Sequence, residues 1–282
     1  MEKRNLLRTI LVTLGLLLAL VAGYLVALYI LPTPSVAVIR LEGDIWGTYT
    51  AYLRDALQEA RDDPAVKAVV LEIVSPGGEV TASEDLYFEV LKVRESKPVV
   101  ASINEIAASG AYYVASAADQ IYAKPGSTVG NIGVISILPD PDLVDEQLIT
   151  TGPFKLSGGS QVEAVRQMEV LKETFLSAIL AQRADRLEVD ASVLSRGEVY
   201  LGLQAQQMGL VDRVGSQGDA VAAAAEMAKL RHYRVEDLSP ELPEDLAVLG
   251  FSLKRVTTAA AVSATPRYLP PGFYYRYVEP LP

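Results

Sequence analysis

Residues 65–78 read Ala65-Val-Lys-Ala-Val-Val-Leu-Glu-Ile-Val74 and then Ser75-Pro-Gly-Gly78. A run rich in β-branched side chains, closed by Pro-Gly-Gly, predicts a buried strand stopped by a tight turn. The same grammar recurs on both sides. Upstream, Ser35-Val-Ala-Val-Ile-Arg-Leu41 reads as a buried strand ended by Glu42-Gly43-Asp44. Thr50 is then expected to cap a helix that carries Leu53, Ala56, Leu57 and Ala60 on one face and runs to Asp62 before Pro64. Downstream, a helix from about Thr81 to Glu95 leads to strand Pro98-Val-Val-Ala-Ser102. Ala107-Ala-Ser-Gly-Ala-Tyr-Tyr113 opens another helix, and Gln120-Ile-Tyr-Ala123 is a short strand. Strands alternating with helices across short turns predict right-handed βαβ units around a parallel sheet, an α/β fold.

The rest of the chain is less regular. A longer amphipathic helix spans about Val162 to Arg186, with Val165, Met168, Leu171, Phe175 and Ile179 on one stripe, which marks core or a subunit interface. Past Leu238 the pattern decays, and residues 266–282 hold five prolines and four tyrosines.

Composition removes several chemistries. Among 282 residues there is no cysteine and one histidine, His232. Disulfides, thiolate catalysis and multi-histidine metal sites are therefore excluded. A net charge of −10 argues against nucleic acid as a partner, because neutralising phosphates needs a basic surface.

Thr9 to Leu31 contains no Asp, Glu, Lys or Arg. As a helix it would be roughly 34 Å long, enough to cross a hydrocarbon core of about 30 Å. Pro32-Thr-Pro34 ends it, and Tyr24 and Tyr29 lie toward its far half. Lys3, Arg4 and Arg8 precede it, so the positive-inside rule places the N-terminus in the cytoplasm and the remainder outside. A cleaved secretory signal is the competing reading. It fits less well, because its apolar region is usually shorter and no small-x-small cleavage site follows here.

Two loops follow neighbouring strands, where open α/β sheets keep their sites. In Ser75-Pro-Gly-Gly78, consecutive glycines let backbone N–H groups face a ligand oxygen. In Ala107-Ala-Ser-Gly-Ala111, small neighbours let a peptide approach the Ser109 hydroxyl at a helix start. Either feature alone is usually a turn or a helix cap; paired across a helix and a strand, they suggest a nucleophile and an oxyanion hole.

Four motifs stand in order: Ser75-Pro-Gly-Gly-Glu-Val-Thr-Ala-Ser83, Ala107-Ala-Ser-Gly-Ala-Tyr-Tyr-Val-Ala-Ser-Ala-Ala-Asp119, Val129-Gly-Asn-Ile-Gly-Val134, and Arg196 to Asp212. Over roughly residues 35 to 230 the chain resembles the signal peptide peptidase A family in its short, membrane-anchored form. That resemblance implies a Clp-protease/crotonase-type fold and a serine-lysine dyad, with no cofactor and no metal. It implies Ser109 as nucleophile and Gly78, or its neighbour Gly77, with Gly110 as oxyanion donors. It also implies Lys155, in Thr151-Gly-Pro-Phe-Lys155, as general base. Lys124 and Lys172 fit that role less well. Where the family commonly has a serine that holds the lysine amine, this chain has Asn131, whose side-chain oxygen could accept the same bond. A lysine in this role must be a free amine, which requires burial to bring it about three units below its ordinary value near 10.4. No acid lies in Phe154-Lys155-Leu156-Ser157-Gly158. A triad through His232 is the remaining alternative.

The resemblance further implies peptide substrates (remnant signal peptides and other apolar or unfolded segments) and a homo-oligomer in which neighbouring subunits can complete a site. Together with the apolar run at the start and the decaying pattern at the end, this divides the chain into a cytoplasmic N-terminus with a membrane anchor that meets lipid through residues 9–31 (1–34), a protease domain (35–238) and a Pro/Tyr-rich tail (239–282). A sharper expectation for the tail is that it lies extended in a neighbour's substrate groove. Competing readings are the membrane protease class associated with stomatin-like proteins, a catalytically silent peptide-binding scaffold, and crotonase-type acyl-CoA chemistry.

Overall fold

In the first core strand, side chains alternate between two hydrophobic clusters. Ala37, Ile39 and Leu41 join one, while Val36 and Val38 join the other. This period of two on a strand buried on both faces is what a central parallel sheet demands. A computed structural model describes residues 2–30, 33–137, 151–152, 154–155, 158–241 and 272–276.

Helix α1 (Glu2–Ile30) leads to β1 (Ser35–Glu42), α2 (Gly47–Asp62), β2 (Val66–Ser75), β3 (Gly77–Glu79), α3 (Val80–Arg94) and β4 (Val99–Ala108). Next come α4 (Gly110–Ser116), β5 (Gln120–Ala123), β6 (Thr128–Gly130), β7 (Ile135–Ile137) and α5 (Gln161–Arg183). The chain continues through α6 (Ala191–Leu194), β8 (Val199–Leu201), α7 (Gly202–Gln207), β9 (Arg213–Val214), α8 (Gln217–Met227), β10 (Arg234–Asp237) and β11 (Gly272–Arg276). The main sheet has the order β10-β1-β2-β4-β5-β9, and these pairings are parallel. β6 extends β4 in parallel, and β8 pairs antiparallel with β6. A second, antiparallel sheet has the order β3-β11-β7. The fold is α/β with a mostly parallel sheet, as expected.

Local chemistry shifts several boundaries. α2 starts at Gly47 rather than after Thr50: Trp46 is the N-cap, and the Gly47 N–H donates to Glu79 Oε2 at 2.9 Å. β4 runs on to Ala108, because β6 continues its pairing beyond the polar pair Asn104-Glu105, which interrupts the apolar run. The Gly-Gly turn carries a strand of its own, β3. In α5, Phe175 and Ile179 are buried as expected, whereas Val162, Val165 and Val170 are exposed. At its end the fully buried Arg183 guanidinium donates to the Gly209 carbonyl at 2.8 Å and meets Asp212 at 3.1 Å. Burying a guanidinium requires such pairing.

α1 is helical over 29 residues, and the described side chains from Ile10 to Val21 are exposed and largely apolar. Counted over the described residues, no helix is long and apolar enough to cross a membrane.

Candidate active site

Ser109 is the hinge between β4 and α4, with φ 53° and ψ −122°. A non-glycine residue there carries strain of about 1–3 kcal/mol, held by its surroundings. The surroundings are visible: its N–H donates to the Gly130 carbonyl at 2.7 Å, and its carbonyl accepts from the Tyr113 N–H at 2.9 Å. The side chain is buried, and among the described residues Oγ has no hydrogen-bond partner. A buried hydroxyl without a partner costs stability, so its retention at a strained turn points to a chemical use.

The glycine strand lies beside it. The Gly77 N–H donates to Ser75 Oγ at 3.2 Å, and its carbonyl accepts from the Ile45 N–H at 2.9 Å. Glu79 N–H in turn donates to the Ile45 carbonyl at 2.8 Å. Peptide groups alternate along a strand, so Gly78 turns its N–H and C=O to the opposite side. Gly77 has φ +96°, and a Cβ added there would stand 2.7 Å from the Gly110 nitrogen. The two glycine loops therefore touch. A methyl group on Gly78 would collide with the Ile45 carbonyl. Gly78→Ala is accordingly expected to lower stability by about 1–3 kcal/mol and to suppress any activity of the site, as read by denaturant unfolding beside peptide hydrolysis.

The side of β3 that Gly78 faces is occupied by this chain's own tail. β11 pairs antiparallel with β3, with Tyr275 opposite Gly78, and on its other edge with β7. The Tyr275 carbonyl oxygen is the nearest atom to a Cβ built on Gly77, and it would lie 3.0 Å from one built on Gly110. That oxygen thus sits where the two glycine loops converge. Where the sequence suggests that the tail occupies a neighbour's groove, the strand fills the groove of its own chain.

The remaining sequence-derived candidates fall in different places. Asn131 follows Gly130 with φ 56°; its N–H donates to the Glu198 carbonyl and its Nδ2 to the Gly197 carbonyl, both at 2.7 Å. The stretch from Arg196 thus braces the end of β6, whose Gly130 carbonyl accepts from the Ser109 N–H. Lys155 is exposed in a turn, with its N–H 3.4 Å from the Gly152 carbonyl. Lys124 is exposed, and Lys172 pairs with Glu169. His232 is exposed and precedes β10, whose first residue pairs with Ser35 at the start of β1. Ser109 lies beyond the other end of the sheet. The separation is the span of β2 from Val66 to Ser75, roughly 30 Å, which removes the triad.

A profile for Peptidase family S49 matches residues 92–231, and one for the NfeD1b N-terminal domain matches residues 35–138. Protease 4 of Salmonella typhi is 34% identical over 210 residues, covering 69% of this chain and 33% of that one. The slr0021 protein of Synechocystis sp., assigned as a protease, is 31% identical over 227 residues, covering 75% of this chain and 81% of that one. The chain belongs to peptidase family S49. This S49 chain spans about a third of the length of the Protease 4 relatives from Salmonella and Haemophilus. Its fold is similar to that of a lysine variant of the 1510-N membrane-bound stomatin-specific protease in complex with a substrate peptide. That match has a TM-score of 0.52 at 18% identity and covers 77% of this chain and 97% of that one.

Sequence reasoning missed β3, the Ile45 brace, and the place of Tyr275 in the S49 site. The signal for the last was faint: Gly272-Phe-Tyr-Tyr275 after Pro270-Pro271 reads as a short aromatic strand entered through a turn.

Proposed function

We propose that this S49 member is a membrane-anchored serine endopeptidase that cuts remnant signal peptides and other apolar or unfolded segments by acyl-enzyme chemistry. The observation that carries the reading is the unpartnered, buried Ser109 hydroxyl on a strained turn, beside two glycine loops that converge on a bound carbonyl oxygen. Gly78 and Gly110 donate their N–H groups to the oxyanion. Gly78 is preferred to Gly77, whose N–H is committed to Ser75. Neutral Lys155 takes the Ser109 proton as Oγ attacks the scissile carbonyl. The resulting ammonium returns that proton to the leaving amine, and water then hydrolyses the ester. Asn131 has Nδ2 engaged by Gly197, and its Oδ1 accepts from the lysine amine.

Lys155 is exposed in the single chain, so the burial this role needs comes from a neighbouring subunit. The exposed Val162, Val165 and Val170 of α5 supply an apolar face for such an assembly. The anchor in this proposal rests on the sequence run Thr9–Leu31, which carries no Asp, Glu, Lys or Arg, with Lys3, Arg4 and Arg8 keeping its start in the cytoplasm.

The stomatin-directed protease class remains a second reading on the NfeD1b match. That match ends at residue 138, whereas the S49 match spans the region from Ser109 through Lys155 to Arg231. A serine-directed acylating probe, mapped by peptide digestion, tests the proposal. Labelling at Ser109 and its loss in Ser109→Ala support it; a protein that takes no label and cuts no peptide is the silent scaffold. Truncation before Pro266 should raise both labelling and small-peptide turnover several-fold, and unchanged rates would show that the tail does not compete.

A further inference from the structure

Strand β11 enters the site as a peptide would, and its register assigns a partner to each residue. Tyr275 stands opposite Gly78 with its carbonyl at the convergence of the two glycine loops, so it holds the position of the residue on the acyl side of a scissile bond. Its side chain is fully buried between α4 and α5. The ring centroid lies 4.7 Å from that of Phe175 and 5.6 Å from that of Tyr113. At the bottom, the phenol donates to the Leu171 carbonyl at 2.9 Å. Burial, with Glu84 and Tyr113 nearby, pushes this phenol above its ordinary value, so it remains a proton donor. The adjacent Tyr274 points to the opposite face of the strand and meets Trp46 edge-on at 5.8 Å.

We propose that the cleft between α4 and α5 is the specificity pocket of this peptidase and that it selects tyrosine on the acyl side of the cut. The inference rests on the serine-peptidase reading above. Walls of Tyr113 and Phe175 fit a planar ring, and the backbone carbonyl of Leu171 recognises a hydroxyl at its far end. Cleavage transfers the tyrosyl acyl group from the amide nitrogen of the next residue to Ser109 Oγ and then to water, leaving a peptide with a C-terminal tyrosine. Phenylalanine keeps the ring contacts and loses one hydrogen bond, a loss of about five- to tenfold. Alanine loses the ring burial as well, a loss of about a hundredfold or more.

The test uses full-length protein and a matched peptide series Phe-Tyr-X-Arg, which copies residues 273–276 with X as Tyr, Phe, Leu or Ala. The expected order of kcat/KM is Tyr, then Phe, then Leu, then Ala. Full-length Ser109→Ala reports binding of the same labelled peptides by fluorescence anisotropy, independently of chemistry. Full-length Tyr275→Ala should bind the tyrosyl peptide more tightly than wild type, since the resident competitor has lost its anchoring ring. Leu or Ala peptides that bind or react as well as Tyr overturn the pocket, even where hydrolysis depends on Ser109. Tyrosine-selective binding without hydrolysis keeps the pocket and overturns the peptidase reading instead.

Discussion

Replacing Ser109 by alanine should lower kcat by roughly 10⁴–10⁶-fold and leave the fold intact. The two halves of that expectation come from the same geometry. The hydroxyl has no partner among the described residues, so its removal orphans no donor or acceptor. What holds the turn is backbone: the N–H on Gly130 and the carbonyl on Tyr113 persist in the variant. Thermal unfolding should therefore move little, or slightly upward, while hydrolysis of an apolar peptide falls to the residual rate of an oxyanion hole without a nucleophile. A variant that keeps more than a hundredth of wild-type turnover would remove Ser109 from the chemistry.

Lys155→Ala should cost about 10²–10⁴-fold in kcat, the range typical of a lost general base. Because the side chain is exposed, the substitution should leave unfolding of the single chain unchanged. Arginine should not rescue, since its guanidinium does not give up a proton in proteins. Chemical cross-linking should also trap an assembly in the active form, as the proposed role of the exposed Lys155 needs. Turnover within tenfold of wild type would mean that another group accepts the Ser109 proton.

The parallel core was legible because strands covered on both faces announce themselves as mainly apolar runs: Val66 to Val74 is interrupted only by Lys67 and Glu72. Ser109 was legible because small residues crowd around it on both sides. What lay hidden had physical reasons. β3 is Gly-Gly-Glu, whose glycines have no side chains with which to display a period of two. β11 pairs with a partner nearly two hundred residues away, a relation no local window contains. Helix α2 lacks a side-chain cap, so Thr50 is a plausible but wrong place to start it. At α5 the apolar stripe is real, but only its second half meets the core; Val162 and Val165 point outward.

The resident β11 strand also bears on how affinities for this groove are to be interpreted. A tethered segment acts at an effective concentration that for flexible linkers is on the order of millimolar, whatever the protein concentration. Any inhibitor of the groove titrated against the full-length chain displaces that segment before it binds, so its apparent dissociation constant is the intrinsic one multiplied by the ratio of total to free grooves. Dilution cannot relieve this competition. Only shortening the chain or weakening its grip at Tyr275 can, and rankings of compounds remain valid where their absolute potencies do not.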